Sequence, residues 1–303
     1  VTPLRFLALD QPGYPQRLLD LEKPPGSIVV AGPLTPDRTF AVVGTRKPSV
    51  EAGAFARHLA GEIVRHGGVV VSGGAIGIDA AAHEGALEAG GSTWAIAATG
   101  HGHVFPPEHA ALFERIAGEG GAMVWPFEAN KKADPLSFFA RNGVLVALSE
   151  VVVVVQAGIP SGALNAAGWA RKLGRPVWAV CPPPWIGGFA GCALLLDRGA
   201  RPLTSVSAWL RAVGLVQRPR TSPSTPPSTS APTATSTPVP TRVLTPHELA
   251  VVGALSTTGQ HIDEISAKSG LCIAIVRTAL LTLVLEDVVV EGPEGFFRRA
   301  KAG

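Results

Sequence analysis

The chain predicts a doubly wound α/β domain followed by a small winged helix-turn-helix unit, and three observations carry this. Near-continuous Val/Ala runs of strand length alternate with helix-period segments from residue 38 onward, the pattern of a parallel sheet buried on both faces. Residues 217–242 switch abruptly to Pro, Ser and Thr, which leaves no apolar face to bury and reads as an extended, disordered linker. Beyond it come three helical patterns, a tight turn between the second and third, and a hairpin, the order of a winged helix.

Residues 1–37 form a Pro/Gly-punctuated lead-in with one short strand expected near 28–31. The apolar run 40–43 is broken by Gly44, after which Thr45, Arg46 and Lys47 present a hydroxyl and two cations at the strand exit. Ser49 suits an N-cap and Glu51 the first turn of the next helix, in which Phe55, Leu59 and Ile63 repeat at the helical period. Residues 69–71 make the next buried strand, and Ser72, Gly73, Gly74 and Gly77 shape a turn into a helix near Asp79. Two such loops on neighbouring parallel strands form a crevice lined by backbone N–H groups and helix N-termini, which suits phosphate oxygens. Further strands are expected at 93–98, 122–125, 150–156 and 176–180, with helices at 108–116, 136–148, 162–173 and 205–213. The expected divisions are 1–37, the lead-in; 38–215, the α/β domain; 216–242, the linker; and 243–303, the winged helix. In the last, helices at 246–255, 261–268 and 273–285 flank a turn at Ser269-Gly270, and the hairpin turns at 292–295.

Composition narrows the class. Of 303 residues, 46% are hydrophobic and 16% charged, enough apolar material for a sizeable core. The net charge of +3 permits a local basic groove without demanding one. Cys181, Cys192 and Cys272 are odd in number and lack zinc spacing, which leads us to expect a reduced intracellular protein. No signal-peptide pattern is visible, and the valine run 151–155 is too short to span a bilayer. A start at Val1 with Met123 as the sole methionine leads us to expect a trimmed N-terminus.

The glycine loops first raise a dinucleotide. Only Gly44 follows the first strand, and no acid stands after 93–98 to hold a ribose, so the dinucleotide fingerprint is absent. His101, His103, His109 and His83 lack a carboxylate or Cys at ligand spacing, and no metal or other cofactor is expected. Ser72 and Ser161 lie on glycine turns but in no nucleophile elbow, so no catalytic residue is expected. More informative is the loop running into the helix at 136–148. It carries Lys131, Lys132, Phe138, Phe139, Arg141 and Asn142, and cations interleaved with aromatics are the physical means of holding a single nucleic-acid strand. One of the two phenylalanines is expected in the core. Ser161 and Gly162 add another amide-rich turn.

With VVGTRKPS, SGGAIGIDAAAHEGAL, TGHGHVFPPEHAAL, FFARNGVLVALS and GIPSGALNAA assembled, the chain resembles the DNA processing protein A (DprA/Smf) family, over about 38–203 and again over 244–299. The resemblance implies an extended Rossmann-like domain that binds single-stranded DNA, a homodimer, and delivery of the RecA recombinase onto DNA taken up in natural transformation. It implies a groove arginine at Arg46, a glycine loop at Ser72, Gly73 and Gly77 followed by Asp79 and His83, an aromatic-basic loop at 131–142, and the turn Ser161-Gly162. The chain departs from the family at Ile76 and Gly143, where arginines are usual, and at Gln156, where an acid is common. No helical module stands ahead of the lead-in, so the resemblance leads us to expect that this part of many family members is absent or trimmed here.

The reading is a cytoplasmic, non-enzymatic mediator with no membrane association. Arg46, Lys131 and Lys132 would neutralise phosphates, and the amides of Gly73, Gly74 and Gly162 with Ser72 and Ser161 would bond phosphate oxygens. Phe138 or Phe139 would stack on a base, Asn142 would orient the loop, and Gly44, Thr45, Lys47, Gly77 and Arg141 complete the groove. Two alternatives stand beside it: a nucleotide or nucleoside-phosphate hydrolase, and a winged-helix transcription regulator. The first lacks its PGGxGT loop, since the chain has GIPSGAL. The second would read duplex with helix 273–285, whose one cation is Arg277.

Overall fold

The computed structural model describes residues 2–35, 37–181, 187–215, 244–256, 259–271, 273–285, 288–291 and 296–299. These fall into two compact units, Val1–Trp209 and Leu210–Gly303.

The first unit runs β1 (Leu4–Ala8), β2 (Ser27–Ala31), β3 (Arg38–Val43), α1 (Val50–Arg65), β4 (Gly68–Ser72), α2 (Ile78–Glu88) and β5 (Thr93–Ile96). It continues α3 (Ala110–Gly118), β6 (Ala122–Trp125), α4 (Pro135–Ala147), β7 (Val151–Val154), α5 (Gly162–Lys172), β8 (Val177–Val180), α6 (Ala190–Asp197) and β9 (Arg201–Leu203), with α7 (Val206–Ala212) after it. The strands order as β1-β2-β6-β5-β4-β3-β7-β8-β9 in one sheet. From β6 to β9 every pairing is parallel, and β3 is central, with β4 on one side and β7 on the other. Phe40, Val42, Val70, Val71, Val152 and Val153 are completely buried, as apolar runs covered on both faces must be. The chain leaves β3 in one direction and later returns to pair β7 on its other flank, so the strand order reverses at β3, where the carboxyl ends of an open α/β sheet part to make a crevice.

Three expectations change. The first 37 residues supply two strands rather than one, and both are antiparallel: β1 pairs β2, and β2 pairs β6. The sheet is therefore mixed at this edge. LRFLA hides its strand character because an outermost strand keeps much of its side-chain surface exposed. Helix α6 and strand β9 were not foreseen either. Pro202 speaks against a strand, yet β9 is the last in the sheet order, where a missing N–H does no harm. The remaining segments match their expected places, with β5 and β7 shorter than expected.

The second unit holds α8 (Pro246–Ala254), β10 (Gln260–His261), α9 (Ile262–Ser269), α10 (Ile273–Leu285), β11 (Val289–Glu291) and β12 (Phe296–Arg299), with sheet order β10-β12-β11. Thr245 and Glu248 form a reciprocal capping box at the start of α8. Val276, Leu280 and Leu283 of α10 join Val251, Ile265 and Phe297 in the core of this unit. The apolar length of α10 is thus used within its own unit. The expected linker at 217–242 and the hairpin tip at 292–295 lie outside the described residues. No described helix is long and apolar enough to cross a membrane.

Helices α1 and α2 cross at Gly85, where a Cβ would stand 2.1 Å from the Arg57 carbonyl oxygen. Backbone cannot yield as a side-chain tip does, so Gly85→Ala is expected to cost about 1–3 kcal/mol, the usual penalty for overpacking. Chemical denaturation of the variant against wild type measures this, and an unchanged midpoint would contradict the packing described.

Candidate nucleic-acid interface

The loop that leaves β3 is held by its neighbours before its side chains are considered. Thr45 N–H donates to the Gln156 carbonyl at 2.8 Å, and Ile78 N–H donates to the Thr45 carbonyl at 3.2 Å. Ser49 N–H donates to Gln156 Oε1 at 2.9 Å, so Gln156, at the position of a common family acid, serves as a brace. Gly77 has φ +95°, and a Cβ there would come within 2.5 Å of the Thr45 carbonyl oxygen. Both the left-handed backbone and the close approach require glycine. With the backbone fixed in this way, Arg46 and Lys47 project as exposed side chains.

The Arg46 guanidinium lies 4.8 Å from the centroid of the Phe138 ring, within cation–π range. Phe105 meets the same ring edge-on at 5.5 Å. Arg46, Gly73, Ile76, Ala98, Phe105 and Phe138 line a small cavity of about 70 Å³. Phe138 comes from α4, whose start is secured by a reciprocal cap between Asp134 and Ser137.

Beneath this surface two buried side chains grip one residue, Gly73. Asp79 Oδ2 accepts from Gly73 N–H at 3.2 Å and from Ala75 N–H at 3.4 Å. Arg141 Nη1 donates to the Gly73 carbonyl and to the Ile96 carbonyl, the latter at 2.6 Å. Burial raises the Asp79 carboxyl above its ordinary value, and the positive charge of Arg141 opposes that rise. Burial also brings Arg141 down to about 10, with Asp79 resisting and Arg46 adding repulsion. Arg141 therefore remains charged at neutral pH. His83, fully buried, has its Nδ1 2.8 Å from Thr93 Oγ1.

These facts correct several expectations. Arg141 is 4% exposed and its Nη1 is spent on two carbonyls, so it supports the groove from below rather than facing solvent. Ser72 is fully buried and donates to the Val42 carbonyl at 2.6 Å, and the Gly73 amide is taken by Asp79. Neither has a donor left for a phosphate. Gly74 is buried as well, and its carbonyl accepts from His109 Nδ1 at 2.9 Å. Neither phenylalanine is in the core: Phe138 is half-buried and Phe139 is 49% exposed. Lys131 is ion-paired to Asp134, whereas Lys132 is exposed. Asn142 Nδ2 donates to the Gly162 carbonyl at 3.3 Å and to Asn165 Oδ1 at 3.0 Å, tying α4 to the start of α5, which Ser161 caps. Sequence reasoning overlooked Phe105 and the joint grip of Asp79 and Arg141. The signal for the grip was an acid in the first turn of a helix that follows a glycine loop.

A family model for DNA recombination-mediator protein A matches residues 5–214, and one for the DprA winged helix domain matches residues 223–295. Protein Smf of Escherichia coli K12 is 31% identical over 304 residues, covering 98% of this chain and 78% of that protein. A putative DNA processing protein DprA of Mycobacterium tuberculosis H37Rv is 36% identical over 267 residues, or 88% of this chain; the match spans 65% of that relative's length. Two solved structures are similar at 28% identity over 69% of this chain. One is DNA processing protein A of Streptococcus pneumoniae (TM-score 0.63, 74% of that chain). The other is that of Helicobacter pylori (TM-score 0.62, 95% of that chain), a structure described for its single-stranded-DNA binding mode. Fold and relatives thus define a class, the Rossmann-like DNA-processing proteins with an appended winged helix. Within that class, the chain belongs to the DNA processing protein A (DprA/Smf) family.

The buried cluster gives a pH prediction. Burial, with repulsion from His109 and Arg141, lowers His83 from 6.5 to about 3. Below about pH 6.5 the unfolded chain takes up a proton that the folded His83 refuses, so stability falls as pH drops toward about 3. His83→Gln is expected to flatten the pH dependence of the denaturation midpoint across that window by up to one proton. An identical slope in wild type and variant would contradict a neutral, buried His83.

Proposed function

We propose that this chain binds single-stranded DNA without strong sequence preference, protects it, and helps load RecA onto it during DNA uptake. The observation that carries this reading is the exposed Arg46 stacked on Phe138 at the carboxyl edge of the sheet. Phe105 and Lys47 beside it are exposed, as is Lys132 in the loop before α4. Cations follow phosphates and rings take bases of any identity, which is why such surfaces hold single strands with little preference. The binding mode described for the Helicobacter pylori structure supports the same ligand. In this reading the protein works in the cytoplasm as a homodimer and catalyses no reaction. Direct contacts come from Arg46, Lys47, Lys132, Phe138 and the exposed Gly162 turn, with Thr45, Gly44 and Gly77 shaping the loop.

Ile76 is 47% exposed and lines the cavity beside Arg46, and Gly143 likewise supplies no cation. Arg46 therefore carries an unusual share of the electrostatic hold. Arg46→Ala is expected to weaken oligothymidylate binding by about tenfold to a hundredfold, the worth of one charge-assisted contact. The log–log salt slope should become shallower by about 0.7, one single-strand phosphate. Ile76→Arg should strengthen binding and steepen the slope. Wild-type affinity in a folded Arg46→Ala variant, across the salt range, would put the groove elsewhere.

Among the described residues of the winged-helix unit, α10 contributes to its own core and the Arg299 guanidinium donates to the Val252 carbonyl. A chain ending at Gly214 should accordingly keep most of the single-strand affinity, as fluorescence anisotropy would read directly. Its loss in that truncation would move binding to the second unit.

A further inference from the structure

Adjacent residues on a helix point about 100° apart, so Phe139 faces away from the crevice that holds Phe138. Its carbonyl accepts from Trp169 Nε1–H at 3.1 Å, across from α4 to α5. Leu136, one turn earlier, is 78% exposed. Gly143, one turn later, lies against the indole: a Cβ there would approach three Trp169 ring atoms to 3.1–3.3 Å. A side chain as large as arginine at 143 would have to displace the indole, so the missing cation and the presence of Trp169 are one packing arrangement. Lys172 Nζ lies 4.9 Å from the indole centroid. Neither α4 (PLSFFARNGVLVA) nor α5 (GALNAAGWARK) contains a carboxylate. Asn142, past the middle of α4, fastens that helix to the N-terminal end of α5, so the face is a fixed surface.

We infer that α4 and α5 carry a second stacking subsite, built on Phe139 and Trp169 with Lys172, for the part of a single DNA strand that leaves the Arg46–Phe138 crevice. This rests on the single-strand reading above. Three features fit an unpaired strand: exposed rings for bases, a cation for phosphates, and no acid on either helix to repel them. The face also continues from the crevice along one helix, since Phe138 and Phe139 are consecutive residues of α4. A second copy of the chain, the other occupant an exposed apolar face invites, would meet Lys172 with its own Lys172.

The test uses the full chain and oligothymidylates of about 4 and about 16 nucleotides, the span of site sizes for such surfaces. The readouts are fluorescence anisotropy and sedimentation. Phe139→Ser replaces an exposed ring and leaves the Trp169 hydrogen bond, which is to backbone, in place. It should leave the short oligonucleotide within about twofold and weaken the long one by about tenfold, the worth of one stacked base. Trp169→Leu should act in the same direction, and Arg46→Ala should weaken both lengths. Unchanged binding of the long strand by a folded Phe139→Ser variant would overturn the subsite while leaving the crevice intact, as would equal weakening of both lengths. Altered sedimentation with unchanged affinity would assign the face to a second copy and overturn it too. Failure of wild type to bind either oligonucleotide would instead remove the single-strand reading on which the subsite rests.

Discussion

The groove depends on a grip at one residue, Gly73. Gly73 gives its N–H to Asp79 and its carbonyl to Arg141, and both charged groups are buried beneath the loop they hold. A buried charge is costly unless hydrogen bonds and an opposite charge compensate it. Here Arg141 has two carbonyls and the attraction of Asp79, and Asp79 has two amides and the attraction of Arg141. Loop 73–77 is thereby fixed, and through the close contact of Gly77 with Thr45 it fixes the backbone from which Arg46 projects. The ring of Phe138 has guanidinium groups 4.8 and 5.9 Å from its centroid, one exposed and one buried. Only the exposed one is available to a ligand. The arrangement places Arg46 and Phe138 at the strand-order reversal, where open α/β sheets bind ligands.

Much of this was legible in the chain. Strands β3, β4 and β7 are built on the apolar runs 40–43, 69–71 and 151–155, and Ser49 and Asp134 mark helix starts by side-chain capping. Arg46 could be placed because a cation directly after a buried strand and before a helix has few other destinations. The depth of each polar residue was not legible. Arg141 and Asn142 read as surface groups because nothing local shows that the carbonyls of Gly73 and Ile96, about 70 and 45 positions away in sequence, converge on Arg141. Ser72 looked available for the same reason: its partner, the Val42 carbonyl, lies on the neighbouring strand. β9 escaped notice because its proline is tolerated only at a sheet edge, and edge position is a property of the whole sheet.

The departures from the family pattern have physical counterparts. Gln156 takes over as a brace, bonding the β3 loop by both its carbonyl and its side-chain oxygen. Gly143 accommodates Trp169. Ile76 leaves an apolar wall beside Phe105 and Phe138 in the cavity. The result is a crevice lined by aromatic and aliphatic side chains around Arg46.

The central claim is that Arg46 and Phe138 act on the DNA as one unit. A double-mutant cycle with Arg46→Ala and Phe138→Leu, read as oligothymidylate affinity at fixed salt, tests this most directly. The account predicts that the two losses are not additive, with a coupling of about 0.5–2 kcal/mol, as expected for a contacting cation–π pair. Strictly additive losses would mean that the two residues act independently, and would contradict a shared site.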